Sequence, residues 1–391
     1  MRTGPEPRTG VAASPDAAQH AEAIGHLLAR IDQTADQIGD LFPLSADPQT
    51  GTWMTAPDGR WTGGFWCGQL WLALQASDDA KYRVLAENAL QRLQGRLESD
   101  NVLNGLVFYY AAALGKQLHQ SQAGAALGAL GAEALARCFN PGAGFIPLGH
   151  DSGSLSADAR GETNIDGVPG MSLLWWAARE RGEPALAAVA AKHVRRHVEL
   201  CMRPEGSLYQ AALVDPENGT TQRLYSPRGY SATSTWARAQ SWGLLGFVQA
   251  YAWTKDPFFG EAAVRAADWW LGAVPADRVA FWDFDDPAIP ETERDTSATA
   301  MATAALLKLA RLAPEASQRD KYADAGAQTL RTLVENYLTP THPGDRRPRG
   351  MLTEGCWQHN QAMSTRHELV WGDYFLLESL LMASGRLESI I

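Results

Sequence analysis

Apolar residues recur at three- and four-residue spacing along most of the chain. The stretches are Ala18–Gly39, Gly64–Ala76, Ala80–Leu97, Leu106–Gln117, Ser121–Cys138, Met171–Arg181, Pro184–Met202, Ala237–Trp253, Gly260–Val274, Ser297–Ala310, Ser317–Tyr337 and Val370–Ser384. This spacing gathers apolar side chains on one face of a helix and predicts about twelve helices. They alternate in character. Those starting at Gly64, Leu106, Met171, Ala237, Ser297 and Val370 are apolar nearly all round, while their partners carry Arg, Lys and Glu on one face. A helix that is apolar all round must be buried on every side. Six inner and six outer helices predict an all-α fold, an (α/α)6 six-hairpin barrel or toroid. It is expected to form a single domain over residues 19–391, after a disordered tail at 1–18. A two-domain helical solenoid is the competing architecture.

Between the helices lie long Gly/Pro-rich connections: Asn140–Gly170, Pro204–Thr235, Asp277–Thr296 and Leu338–Glu368. Connections of this length in a compact domain are usually functional. The active surface is therefore expected where loops leading into the inner helices converge. Asp166 stands in one of them, in Glu162-Thr-Asn-Ile-Asp-Gly-Val-Pro-Gly170, just ahead of an apolar run holding Trp175 and Trp176. A carboxylate at that point is either a helix cap or an acid held where water is scarce, its pKa raised so that it donates a proton near neutrality.

Composition narrows the choice of partner. Fourteen tryptophans are many for 391 residues, and flat indoles make good walls for sugar rings. A formal net charge of -10 argues against nucleic acid or an anionic membrane surface as the main partner. The four cysteines (Cys67, Cys138, Cys201 and Cys356) show no zinc or redox spacing and are read as reduced thiols. Residues 1–18 lack the apolar segment of a secretory signal, and no run is long enough to span a bilayer, so the expected location is the cytoplasm. His residues lack partners at ligand spacing and no phosphate-binding loop precedes a helix, so neither a metal nor a cofactor is expected.

Four further segments lead into inner helices. Trp61-Thr-Gly-Gly-Phe-Trp-Cys-Gly-Gln-Leu-Trp71 combines aromatics with glycines, and Ser234-Thr-Trp-Ala-Arg-Ala-Gln-Ser-Trp242 sets Arg238 and Trp242 on one helix face. Phe281-Trp-Asp-Phe-Asp-Asp-Pro287 precedes Arg294-Asp-Thr-Ser-Ala298, and Val370-Trp-Gly-Asp-Tyr374 opens the last helix. In this order and spacing the segments resemble the unsaturated glucuronyl hydrolases of glycoside hydrolase family 88. The unsaturated rhamnogalacturonyl hydrolases are a more distant match. The resemblance covers nearly the whole chain and implies the same six-hairpin barrel. It also implies an unusual reaction, in which an aspartate protonates C4 of a 4,5-unsaturated uronic acid at the non-reducing end of an oligosaccharide. Water then adds at C5, and the hemiketal opens and expels the aglycone.

That aspartate falls on Asp166. The resemblance further implies substrate contacts for His193, Gln210, Arg238 and Ser364, and aromatic walls from Trp61 and Trp242. A guanidinium fork at Arg238 suits a uronate carboxylate, the plainer reading being an Arg–Asp pair at the barrel rim. Two departures stand out. Members carry a second aspartate where this chain has Val102 to Asn104, so Asp100 or Asn104 is the candidate for an altered second-acid region. Members also carry an entrance tryptophan where this chain has Leu148 and Gly149, beside the added polar residues His150 and Asp151. Two competing readings follow: a related barrel hydrolase of saturated uronosides, and a non-catalytic carbohydrate-binding toroid.

Overall fold

Capping side chains open several helices where the periodicity places them. Asp79 accepts from the Lys81 amide, Ser121 from Gly124, Asp256 from Phe258, and Asp295 from Ser297 and Ala298. Each satisfies an amide that the first helical turn leaves without a partner. The computed structural model describes residues 15–150 and 159–388. Its helices are α1 (Pro15–Ile38), α2 (Gly63–Ser77), α3 (Ala80–Arg92), α4 (104–119, through a π-turn at Tyr109–Ala113), α5 (Gln122–Arg137) and α6 (Ser172–Arg181). They continue with α7 (Pro184–Cys201), α8 (Ala237–Thr254), α9 (Pro257–Ala273), α10 (Thr296–Leu312), α11 (Ala316–Asn336) and α12 (Val370–Ala383). The first helix begins at Pro15, inside the stretch expected as a tail; residues 1–14 lie outside the described residues.

The even-numbered helices form the inner ring. In α12 every residue from Val370 to Met382 is buried, and in α8 every residue from Ala237 to Ala250. Outer helices such as α11 bury one face only. Around the ring α2 packs on α4, α4 on the turn that precedes α6, that turn on α8, α8 on α10, α10 on α12, and α12 on α2 again. Each inner helix pairs with an outer one, and α1 packs against α12 to complete the sixth hairpin. This is the single-domain α/α toroid, not a solenoid, because the ring closes.

Two small sheets occupy the long connections, which the helical periodicity does not reveal. Strands β1 (Phe42–Ala46), β2 (Trp53–Ala56) and β6 (Glu368–Leu369) form one in the order β2-β1-β6. Strands β3 (Glu162–Asn164), β4 (Ala211–Val214) and β5 (Thr221–Tyr225) form the other in the order β3-β4-β5. In the second sheet Asn164 pairs with Ala211 and Thr163 with Ala212, antiparallel. The Ile165 amide donates to the Gln210 carbonyl at 2.8 Å, so the segment carrying Asp166 is tied to β4. Among the described residues no helix is long and apolar enough to cross a membrane. All four cysteines are free thiols.

Candidate active site

A cavity of about 310 Å³ opens at the end of the toroid where the inner helices begin. Trp61 reaches it from ahead of α2, Leu103 and Leu106 from the start of α4, and Trp236, Arg238 and Trp242 from the start of α8. The β3-β4-β5 sheet supplies Glu162, Asn164 and Ala211, with Gln210 just ahead of β4 and Asp166 just beyond β3. Alternation along an extended strand explains the choice. Glu162 and Asn164 face the cavity, whereas Thr163 turns the other way and its hydroxyl meets His197 Nε2 at 2.9 Å.

Asp166 lies in a tight turn (Ile165–Met171) that runs directly into α6. No side-chain cap closes the start of α6, and Asp166 points into the cavity instead. The turn fits because Gly170 crosses Gly105 of α4: a Cβ on Gly105 would lie 2.9 Å from the Gly170 carbonyl oxygen. Asp166 is buried. Its Oδ2 accepts from Gln210 Nε2 at 3.2 Å, and its Oδ1 has no hydrogen-bond partner among the described residues. Burial raises its pKa above the ordinary carboxylate value, against the opposing pull of Arg228, Arg238 and the Gln210 hydrogen bond.

The aromatic wall is a cluster of tilted and edge-on tryptophans. Trp61 packs on Trp371 with centroids 4.9 Å apart and meets Trp242 and Trp357 edge-on at 6.2 Å each. The Trp-Gly-Asp-Tyr segment therefore supports the wall rather than forming it. Trp371 backs Trp61, and Tyr374 donates to Glu378 at 3.1 Å inside the barrel.

Several residues expected at the site stand elsewhere. His193 is buried on α7 and does not line the cavity; its Nδ1 accepts from the Ile146 amide at 3.0 Å, and its ring lies 4.2 Å from that of His197. Burial, reinforced by His197, holds the His193 imidazole neutral, with its pKa well below the usual value. Ser364 does not line the cavity either, and its hydroxyl meets that of Ser45 at 2.9 Å. Asn104 is occupied in bracing the entry to α4. Its Oδ1 accepts from Arg96 Nη2 at 3.0 Å, and its Nδ2 donates to the carbonyls of Arg96 and Ser99. Asp100 faces outward to His150, whose Nδ1 lies 2.7 Å from Asp100 Oδ2. Neither Asp100 nor Asn104 lines the cavity. Asp151 lies outside the described residues.

Arg238 is at the site but already engaged. It pairs with Asp295 at 3.0 Å and donates to the carbonyls of Cys356 and Trp357. The structure adds residues that the sequence reading did not single out: Glu162, which accepts from the Tyr225 hydroxyl, and Arg228, Gln358 and Gln361. Glu162 had one signal, its position two residues before Asn164 and four before Asp166 in an extended segment. Among the described residues no group of three or more His, Cys, Asp or Glu is placed to hold a metal ion.

Fold and site together define an α/α toroid with a tryptophan-walled cavity lined by two buried carboxyls, Asp166 and Glu162. No family model matches the chain. It is 29% identical over 365 residues to the unsaturated glucuronyl hydrolase of Bacillus sp. (strain GL1), covering 92% of this chain and 95% of that protein. It is 28% identical over 370 residues to the unsaturated chondroitin disaccharide hydrolase of Streptococcus pneumoniae (strain ATCC BAA-255 / R6), covering 92% and 90%. A solved structure of an aspartate-to-asparagine UGL variant with dGlcA-Glc-Rha-Glc superposes with a TM-score of 0.86 at 29% identity, covering 92% and 95%. The chain is thus related to the unsaturated glucuronyl hydrolases along nearly its whole length, in sequence and in fold.

Proposed function

We propose that this protein is a hydrolase of oligosaccharides ending in an unsaturated uronic acid, and that Asp166 is its general acid and base. The observation that carries the reading is Asp166 itself, a buried carboxyl in a sugar-sized cavity with one oxygen bonded to Gln210 and the other uncommitted. An ordinary carboxylate is ionised near neutrality and holds no proton to give. Desolvation moves this one toward the protonated form.

Protonated Asp166 delivers its proton to C4 of the enol ether, and positive charge develops across C5 and the ring oxygen. Water adds at C5 and returns a proton to the Asp166 carboxylate. The hemiketal opens, and the aglycone leaves from C1, so that one water is consumed overall. Gln210 orients the carboxyl, while Trp61 and Trp242 flank the sugar. The relatives named for glucuronyl and chondroitin disaccharide substrates support this substrate class.

The test is Asp166→Asn on a panel of lyase-generated unsaturated disaccharides, read by loss of enol-ether ultraviolet absorbance. Turnover is expected to fall by about 10²–10⁴-fold, the usual contribution of a positioned acid or base. Unaltered turnover sinks the proposal. Glu162 gives the cavity a second carboxylate, the observation that favours action on saturated uronosides, which uses two carboxyls. Matched saturated and unsaturated substrates separate the two, and saturable binding without product for either marks a binding toroid.

A further inference from the structure

Two guanidinium groups line the cavity, and both act electrostatically on Asp166. Arg238 is neutralised in place: Asp295 faces it at 3.0 Å, and two carbonyls take further N–H groups. Arg228 is different. Among the described residues its guanidinium has no ion pair and no hydrogen bond; only its backbone amide is used, donating to Gln210 Oε1 at 3.0 Å. That bond fixes the Gln210 amide so that its Nε2 faces Asp166 Oδ2. A half-buried guanidinium carries five donors in a planar fork, and holding it out of water with no hydrogen-bond or ion-pair partner is unfavourable. Such a group is set to receive an anion from outside. The substrate class proposed above, on which this inference rests for its ligand, carries a carboxylate on the ring that must lie beside Asp166.

We propose that Arg228 is the carboxylate-binding residue of the cavity, and that a uronate seated on it neutralises the guanidinium that shares the cavity with Asp166. The remaining charged and titratable neighbours leave this role to Arg228. Arg238 is balanced by Asp295, and Glu162 accepts a hydrogen bond from the Tyr225 hydroxyl. On α7, burial keeps His193 and His197 neutral, and burial also raises the Cys201 thiol to about 12, so that it stays protonated. When the uronate carboxylate meets Arg228, one positive charge near Asp166 is cancelled. Asp166 then takes up a proton, so the substrate itself supplies the acid form that its protonation at C4 requires. By linkage, uronate affinity rises as pH falls through the Asp166 range.

The experiment uses saturated probes, so it does not depend on turnover. Methyl glucuronide and methyl glucoside are titrated into the protein by calorimetry, in buffers of different ionisation enthalpy to count protons. The expected result is a preference of at least about tenfold for the glucuronide, one charge-assisted contact being worth roughly that much, with net proton uptake. Arg228→Gln is expected to lose both the preference and the uptake. Arg228→Lys, which keeps the charge, retains much of the preference and guards against misfolding of the glutamine variant. Asp166→Asn keeps the preference and loses the uptake. The idea is overturned by no preference in the unaltered protein, by a preference that survives Arg228→Gln, or by uptake that survives Asp166→Asn. A sulfate ester offers similar oxygens, so methyl glucoside 6-sulfate forms a second arm; tighter binding of it than of the glucuronide overturns the carboxylate assignment. Absence of turnover on every unsaturated substrate, with these binding results intact, removes the proposed reaction and leaves the role of Arg228 standing.

Discussion

Buried charge is handled in opposite ways at two places in this toroid. Where α1 meets β6, the Arg30 guanidinium grips Glu368 through Nε at 3.0 Å and Nη2 at 2.6 Å, and Nη2 also donates to the Gly51 carbonyl. Asp373 stands beside them, and burial together with Glu368 raises its pKa well above the carboxylate range, so it keeps its proton. The Arg30–Glu368 pair joins the two ends of the chain, and each charge has its counter-charge, although Asp373 Oδ1 has no hydrogen-bond partner among the described residues. At the mouth of the inner ring, Asp166 leaves one oxygen unbonded and Arg228 leaves its fork empty among the described residues. The charge types are the same. What differs is whether the fold gives the guanidinium an ion-pair partner, and the unpaired one marks the place prepared for a ligand.

The largest effect that would break this contrast lies at the open site. If Asp166→Asn costs turnover the expected factor while the protein melts normally, Asp166 serves the reaction and not the fold. Next comes Arg30→Ala, which strands Glu368 beside Asp373. Removing one member of a buried pair typically costs about 3–5 kcal/mol. Denaturant unfolding should register that loss, and an unchanged midpoint would show that the closed cluster is dispensable. A smaller change is expected from Glu162→Gln, which weakens the bond from Tyr225 at the cavity wall. A hydrogen bond to a charged group is worth roughly 1.5–3 kcal/mol of stability, so the melting midpoint should fall somewhat, and kcat/KM should fall with it because the side chain lines the cavity. An unaltered kcat/KM would assign Glu162 to the sheet alone.

The smallest effect is a slope. Because the folded pKa of Asp373 is raised, the native state holds a proton that the unfolded chain has already lost. Its contribution is fully present below the unfolded pKa and lost as pH rises through the folded one. Asp373→Asn should therefore flatten the decline of Tm with rising pH while leaving the fold intact. A decline of the same steepness would mean that Asp373 is ionised in the native state.

The helices, their alternation and the closed toroid were legible in the chain, because periodicity and capping act between near neighbours. Asp166, Gln210, Trp61 and Trp242 were legible as candidates through the motifs around them, and all four line the cavity. The partnerships were not. Gln210 reaches Asp166 across 44 positions, and Arg238 meets Asp295 across 57. His193 and Ser364 looked as suited to a sugar as Gln210 does, yet packing turns His193 toward the Ile146 amide and Ser364 toward Ser45. Val102 to Asn104 stood out as a stretch without a carboxylate, but the presence of Glu162 in the cavity depended on a three-residue strand too short to show a pattern. By itself, then, the sequence determined which helices form, which are buried, and which carboxyl enters the apolar end of the ring. Only the tertiary structure decided which charges are satisfied, because a counter-charge arrives from a distant segment, and Arg238 has one while Arg228 awaits it.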